Sequence, residues 1–404
     1  MLEALVKISI LIGGLMTAAA YFVLLERRMA AWIQDRRGPN RVGIPLTKIR
    51  LFGLGQPLAD GLKFILKEEY TPAHVDKRLY IIAPIAILAA ALAVFAVIPF
   101  GSVLPPLTEG GEPIQLVVAP GFDAGMIYVF ALSSIAVYGV ILGGWASNNK
   151  YSFLGGLRSS AQLIAYELPL GLGLLGVVLA TGSLRLEEII GQQAQTGTWL
   201  AFAQPLGFLV FVVAAFAEAA RLPFDLPEAE QELIGGYHTE YAGMKLLLFL
   251  VAEFLHMITA SFLIVILFLG GWHFWGITGG EMENISWLQA FLRVGVLTVK
   301  VCAVIVFFMV VRWSWPRFRF DQLMALAWKV MLPLGMVNLV AVAVLEELRT
   351  LLGWEESWTG GLILIAASWA VCLAAWFFVA WAAPLVTDNR AHTRTRPWEI
   401  DAQV

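Results

Sequence analysis

The 404-residue chain is 59% hydrophobic and only 14% charged, with a formal net charge of -3. Soluble domains carry about 25% charged residues, so this composition excludes one and points to a multi-pass membrane protein. The two cysteines, Cys302 and Cys372, stand alone in separate apolar runs; about four thiolates are needed for an iron–sulfur cluster, so buried inert thiols are expected.

Runs apolar over about 20 residues, enough to cross a bilayer, fall at approximately 4–25, 80–99, 125–145, 161–181, 200–220, 244–271, 291–312, 328–346 and 361–383. They predict an all-α integral membrane protein of about nine transmembrane helices in one polytopic domain spanning 1–404, with no inverted repeat of the transporter kind. The first run holds Lys7 as its only basic residue and no small-residue cleavage motif, so it is read as a span and not as a signal peptide.

The connection after the first run is rich in cations, among them Arg27, Arg28, Arg36, Arg37, Arg41, Lys63, Lys67 and Arg78. The next, Gly101 to Ala124, has none. Lys150, Arg158, Arg221, Arg312, Arg317, Arg319 and Lys329 mark later odd-numbered connections, while even-numbered ones offer only Arg185 and Arg349. The positive-inside rule then sets the N-terminus outside, and Arg390, Arg394 and Arg396 in a cytoplasmic tail.

Within the first connection, Gly38-Pro39-Asn40 forces a turn that orders Arg37 and Arg41. The segment PLADGLKFILKEEY, opened by Gln56-Pro57, gathers Leu58, Leu62, Ile65 and Leu66 on one helical face. A short amphipathic surface helix is predicted, in the membrane interface or under a partner.

Gly171-Leu-Gly173-Leu-Leu-Gly176 matches the GxGxxG dinucleotide fingerprint but lies inside an apolar run with no preceding strand. Small residues that let helices approach closely explain it better. Glu253-x-x-His256 resembles half of a di-iron pair, yet no second Glu-x-x-His occurs. A hydrogen-bonded or hydrated pair on one helix face is expected instead, and no metal site.

From Ala217 to Phe254 the chain holds Glu218, Asp225, Glu228, Glu230, Glu232, Glu240 and Glu253 against Arg221 and Lys245. Carboxylates at membrane depth cost several kcal/mol each unless paired, hydrated or protonated. Glu167, Glu253 and Lys300 sit within spans, and Glu26 and Glu218 end spans on the cytoplasmic side. Lys300 can neutralise one of these acids, and structural ion pairs are one reading. The excess of acids over cations favours the other, a hydrated chain of coupled protonation sites. Further on, PRFRFDQLM sets Arg317 and Arg319 around Phe318, a combination suited to lipid headgroups, a protein partner or a polar-headed, lipid-like substrate.

The blocks ERRMAAWIQDRRGPNRVG, GQPLADGLKFILKEE, GWASNNKYSFLGGLRSSAQLIAYELP, AEAARLPFDLPEAEQELIGGYHTEYAGMK and PRFRFDQLMALAWKVMLPL follow one another in this order. Together they resemble the H-subunit family of bacterial NADH:quinone oxidoreductase (respiratory complex I), the counterpart of mitochondrial NADH dehydrogenase subunit 1. The resemblance covers most of the chain. It implies a component of the bacterial cytoplasmic (inner) membrane that anchors the peripheral arm, walls the quinone chamber and contacts neighbouring membrane-arm subunits and lipid.

The resemblance further implies quinone-path residues at Arg27, Arg37, Arg41, Phe249 and Arg319, with Phe254 nearby. It implies a carboxylate funnel for proton coupling at Glu26, Glu167, Glu218, Asp225, Glu228, Glu230, Glu232, Glu240 and Glu253. Quinone is the implied substrate. FMN and iron–sulfur clusters are expected in partner subunits, with no redox cofactor in this chain and no nucleic-acid partner. Phe254 stands where tyrosine is common, so a hydroxyl is missing there. The segment 103–120, the ninth run and the tail look longer than in mitochondrial relatives. A homologous component of a membrane-bound hydrogenase or other-donor dehydrogenase, a stand-alone transporter and a purely structural anchor remain the alternatives.

Overall fold

A computed structural model describes residues 2–43, 52–106, 113–225, 234–278, 285–354 and 358–386. The first apolar run and its basic continuation form one helix, α1 (Leu2–Ile33), so Glu26, Arg27 and Arg28 lie on helix and not in a loop. The predicted surface helix is α2 (Gln56–Leu66). Leu58, Ile65 and Leu66 on it are exposed, while Asp60 accepts from Arg27 at 2.7 Å and from Gln56 at 3.0 Å, docking it to α1.

Next come α3 (Lys77–Ala93), α4 (Gly125–Ala146) and α5 (Lys150–Thr181). Asp76 and Asn149 cap α3 and α5 by accepting orphan backbone N–H groups, and Gly182 closes α5 in a left-handed conformation at φ 66°. A two-stranded antiparallel ribbon pairs Val103–Leu104 with Ile114–Gln115 between α3 and α4. Because α5 starts at Lys150 and not near residue 161, Glu167 sits 17 residues inside it, at mid-helix.

The fifth run departs from expectation. It breaks into α7 (Leu200–Ala203) and α8 (Pro205–Glu218), only 14 residues and thus about 21 Å at 1.5 Å per residue. Pro205 has no N–H to donate and pushes Gln204 out of helical geometry, to φ -133° and ψ 65°. Among the described residues there are therefore eight helices long and apolar enough to span a membrane, plus this short one. An amphipathic helix absent from the sequence reading, α6 (Leu186–Thr196), precedes it. Burial, the dominant cause, pushes the Glu187 carboxyl on α6 above its ordinary range.

The remaining elements are α9 (Gly243–Phe268), the single turn α10 (Trp275–Thr278), α11 (Trp287–Ser314), α12 (Phe320–Ala325), α13 (Leu332–Leu351) and α14 (Trp358–Val386). A π turn over Leu326–Met331 joins α12 to α13. Helix α9 is the hub, with 78% of its apolar window buried inside the bundle. Phe249, Leu255, Val265, Ile266 and Phe268 supply its share of the core.

Lys300 on α11 pairs with no carboxylate among the described residues. Its ammonium donates to the carbonyls of Leu269 (2.6 Å), Gly271 (3.0 Å) and His273 (2.6 Å), at the end of α9. Free carbonyls and the negative dipole end make a helix C-terminus a good partner for a cation. Cys372 is buried and Cys302 half-buried, on separate helices.

The glycines behave as packing residues. A Cβ on Gly173 would lie 3.3 Å from the Gly207 carbonyl, and one on Gly176 would lie 2.7 Å from Asn338 Nδ2. At Gly155 a Cβ would meet the Gly236 backbone at 2.7 Å, whereas at Gly171 it would meet nothing within 4 Å. Gly155→Ala should therefore destabilise the protein by roughly 1–3 kcal/mol. Gly171→Ala should be neutral or slightly stabilising, since alanine favours helix. Detergent-phase thermal melting of both variants measures this, and equal melting temperatures would refute the close approach at Gly155.

Candidate functional site: a buried carboxylate cluster

Helix α8 ends at Glu218, and the chain turns at once. Ala220 adopts a left-handed conformation (φ 50°), a cost of about 1–2 kcal/mol for a residue with a Cβ. The turn aims Arg221 back into the bundle. Arg221 is 5% exposed, and its Nη1 lies 3.3 Å from Glu26 Oε2 while its Nε lies 3.2 Å from Glu253 Oε1. Arg312 of α11 also donates to Glu26. The guanidinium rests on the Phe254 ring, 4.2 Å from its centroid. Phenylalanine thus serves here through the face of its ring.

The same turn is pinned from two sides. The buried Gln162 of α5 donates to the carbonyls of Ala217 (2.9 Å) and Phe224 (2.7 Å). The PRFRFDQLM segment donates from Phe318 N to the Pro223 carbonyl (3.2 Å), stacks Phe318 on Phe224 and pairs Arg317 with the buried Asp225 at 3.2 Å.

Beyond Arg221 lies an internal cavity of about 50 Å3, lined by Glu167, Glu218, Glu253 and His256 together with Ser133, Ser159, Tyr237 and Phe249. One water needs roughly 10–15 Å3 by this measure, so the space holds a few. Ser159 Oγ, buried against it, has no hydrogen-bond partner among the described residues. Neighbouring serines of α4 reach two different helices: Ser133 donates to Glu218 of α8, and Ser134 faces Glu167 of α5. Ser134 Oγ also lies 3.0 Å from the Phe130 carbonyl. Glu253 and His256, one turn apart on α9, both line this cavity.

Glu240 lies apart from this lining. It accepts from Asn149 Nδ2 at 2.6 Å, and its carbonyl accepts from Tyr80 at 2.7 Å. Tyr241 stacks on Tyr80 at 4.1 Å, and burial, then the neighbouring Tyr80, raises its phenol above the ordinary range. Glu228, Glu230 and Glu232 lie outside the described residues, as do the tail arginines.

Among the basic candidates, Arg27 is paired with Asp60, whereas Arg37, Arg41 and Arg319 are exposed, without an ion pair to another described residue. Phe249 is 1% exposed and packs edge-on against Tyr237 and Tyr241, so it belongs to the internal cavity and not to the surface. Sequence reasoning counted Arg221 only as a counter-charge and missed Ser133 and Ser134. An adjacent serine pair in an otherwise apolar span was the available signal.

The chain resembles known proteins over most of its length. The NADH dehydrogenase family matches residues 6–343. The chain is 47% identical over 345 residues to the NADH-quinone oxidoreductase H subunit numbered 1 in Geobacter metallireducens, covering 85% of this chain and 97% of that protein. It is 45% identical over 360 residues to the NADH-quinone oxidoreductase H subunit of Leptospira biflexa, covering 87% and 96%. A second Geobacter protein, the NADH-quinone oxidoreductase H subunit numbered 2 in Geobacter sulfurreducens, is 47% identical over 334 residues, 83% of this chain and 93% of its own length. With its helical bundle, its membrane-length spans and this extent of similarity, the chain belongs to the NADH dehydrogenase family.

Proposed function

We propose that the chain is the membrane component of a proton-translocating NADH:quinone oxidoreductase that walls the quinone chamber and couples quinone reduction to proton movement. Its relatives' names support a multi-pass membrane subunit of respiratory complex I. The observation that carries the coupling role is the continuity of the acidic cluster. Arg221 joins Glu26 to Glu253, and Glu253 shares a water-sized cavity with His256, Glu218 and Glu167. Ionisable groups on three helices thus border one hydratable space, where protonation of one alters the others. In this reading the peripheral-arm subunits carry FMN and the iron–sulfur clusters, and protons rather than electrons move through this chain.

The exposed Arg41 and Arg319 suit a polar quinone headgroup or the loops that enclose it. Alanine at either position should lower quinone reductase turnover about tenfold, the worth of a hydrogen bond from a charged donor. NADH oxidation by artificial acceptors in the same membranes should hold. Equal loss of both activities would show that the peripheral arm had detached, and the structural-anchor reading would replace this one.

The orientation that accompanies this reading has the Arg-rich end of α1 in the cytoplasm of a cell with this protein in its inner membrane. Ser102 is buried and unsuited to labelling, but the Asp123 side chain is 91% exposed and Arg36 is exposed. In a background with Cys302 and Cys372 replaced by alanine, an impermeant maleimide should label Asp123→Cys on intact cells. Arg36→Cys should react only after the membrane is opened. Labelling of both from one side would overturn the orientation.

A further inference from the structure

At the far end of α5 from its Lys150 start, a second and larger cleft of about 660 Å3 opens between that end, α6, α7, α13 and α14. Its lining divides by chemistry. Arg349, Glu346, Gln192 and Gln204 supply charge and amide groups, while Val342, Leu345, Leu362 and Ile365 supply apolar wall. The charged pair is loosely made: Arg349 Nη1 lies 3.4 Å from Glu346 Oε2, and each side chain is about one-third exposed. Exposed pairs of this kind contribute at most about 1 kcal/mol, so both groups can take new partners at small cost. Gln204 is 5% exposed, and its amide donates to the Gly176 carbonyl at 3.2 Å. Its Oε1 is buried without a hydrogen-bond partner among the described residues.

We infer that this cleft is a binding site for one phospholipid with a primary-ammonium, zwitterionic headgroup, of the phosphatidylethanolamine type. The volume lies in the range of small-molecule sites, and its split lining fits a headgroup above acyl chain. Arg349 offers the planar donor fork that matches a phosphate. Glu346, about one-third exposed, offers its carboxylate oxygens as acceptors to the N–H groups of an ammonium. An anionic glycerol headgroup would meet Arg349, and its hydroxyls could donate to Glu346, but it brings no positive charge to that carboxylate. A choline headgroup has no N–H to donate. One wall of the cleft comes from Gly361, Leu362, Leu364 and Ile365 of α14, which lies beyond the family match ending at residue 343. Glu346, Arg349 and the α14 wall therefore lie in the portion of this chain that the family pattern does not cover, while the rest of the lining lies within it.

Gly361 gives a direct test, because a Cβ there meets nothing within 4 Å. Gly361→Phe should fill the cleft without displacing a neighbour. The full chain, with the subunits that co-purify, is reconstituted into nanodiscs of equal phosphatidylethanolamine and phosphatidylglycerol, re-extracted in mild detergent, and its retained lipids are counted by mass spectrometry. Wild type should retain one more phosphatidylethanolamine per chain than Gly361→Phe. Glu346→Gln should lose the preference for phosphatidylethanolamine severalfold, with thermal stability tracked to confirm that both variants are folded. Equal retention in wild type and both variants would mean bulk annular lipid only and overturn the site. Preferential retention of phosphatidylglycerol by wild type would overturn the headgroup assignment. Neither readout depends on quinone turnover, so the coupling proposal and this one fail separately.

Discussion

Arg221→Met should prevent accumulation of the assembled complex. Arg221 is the shared cation of Glu26 and Glu253, which are deeply set in the bundle. Breaking a buried pair from one side costs about 3–5 kcal/mol, because the surviving charge keeps its desolvation penalty and loses its compensation. Glu26 retains Arg312, so Glu253 is the group most exposed to the loss. Two companions separate electrostatics from packing. Arg221→Lys keeps the charge but not the fork that reaches two acids, and should be intermediate. Arg221→Met combined with Glu253→Gln removes the stranded charge and should recover part of the assembly. The measurement is complex content on native gels, normalised to membrane protein. Full assembly of the single Met variant would show that the carboxylates do not need this cation, and the cluster as described would be wrong.

Glu218→Gln should leave the complex assembled and lower turnover by an order of magnitude or more, the scale on which a positioned proton-transfer group acts. The substitution preserves shape, and the amide can still accept from Ser133, but it cannot cycle a proton. Because Glu218 shares its cavity with Glu167, Glu253 and His256, removing it should also move the pH profile of quinone reduction, as expected of interacting sites. Proton-to-electron stoichiometry in reconstituted vesicles completes the test. Ser133→Ala, which removes only the donor, should shift the profile in a milder way. Wild-type turnover, profile and stoichiometry in Glu218→Gln would exclude Glu218 from the proton path.

Long-range pairing marks the limit of what the amino-acid order revealed. Eight spans were legible because about 20 consecutive apolar residues have few other fates, and α2 was legible from the face shared by Leu58, Leu62 and Ile65. The partner of a charge is a tertiary fact. Nothing local distinguishes Lys300 as a clamp on three carbonyls from Lys300 as a counter-ion, nor shows that Arg221 meets Glu26 across 195 residues. The shortness of α8 turns on one residue: the segment from Leu200 to Ala220 is apolar but for Gln204 and Glu218, yet Pro205 cannot continue a helix begun at Leu200. Helix α6 escaped because its apolar positions, Leu186, Ile189 and Ile190, are few and lie among glutamates and glutamines.

The serine beside Glu167 imposes a rule of proton inventory. A hydroxyl carries one hydrogen and can donate it once. Ser134 Oγ nevertheless faces two acceptors, the Phe130 carbonyl and the Glu167 carboxyl. One hydrogen divided between the two makes a three-centre bond, so a stronger hold on the α5 carboxyl is a weaker hold on the α4 backbone. The contact from α4 to α5 is thereby tied to the backbone bonding of α4, the helix that also carries the donor to Glu218.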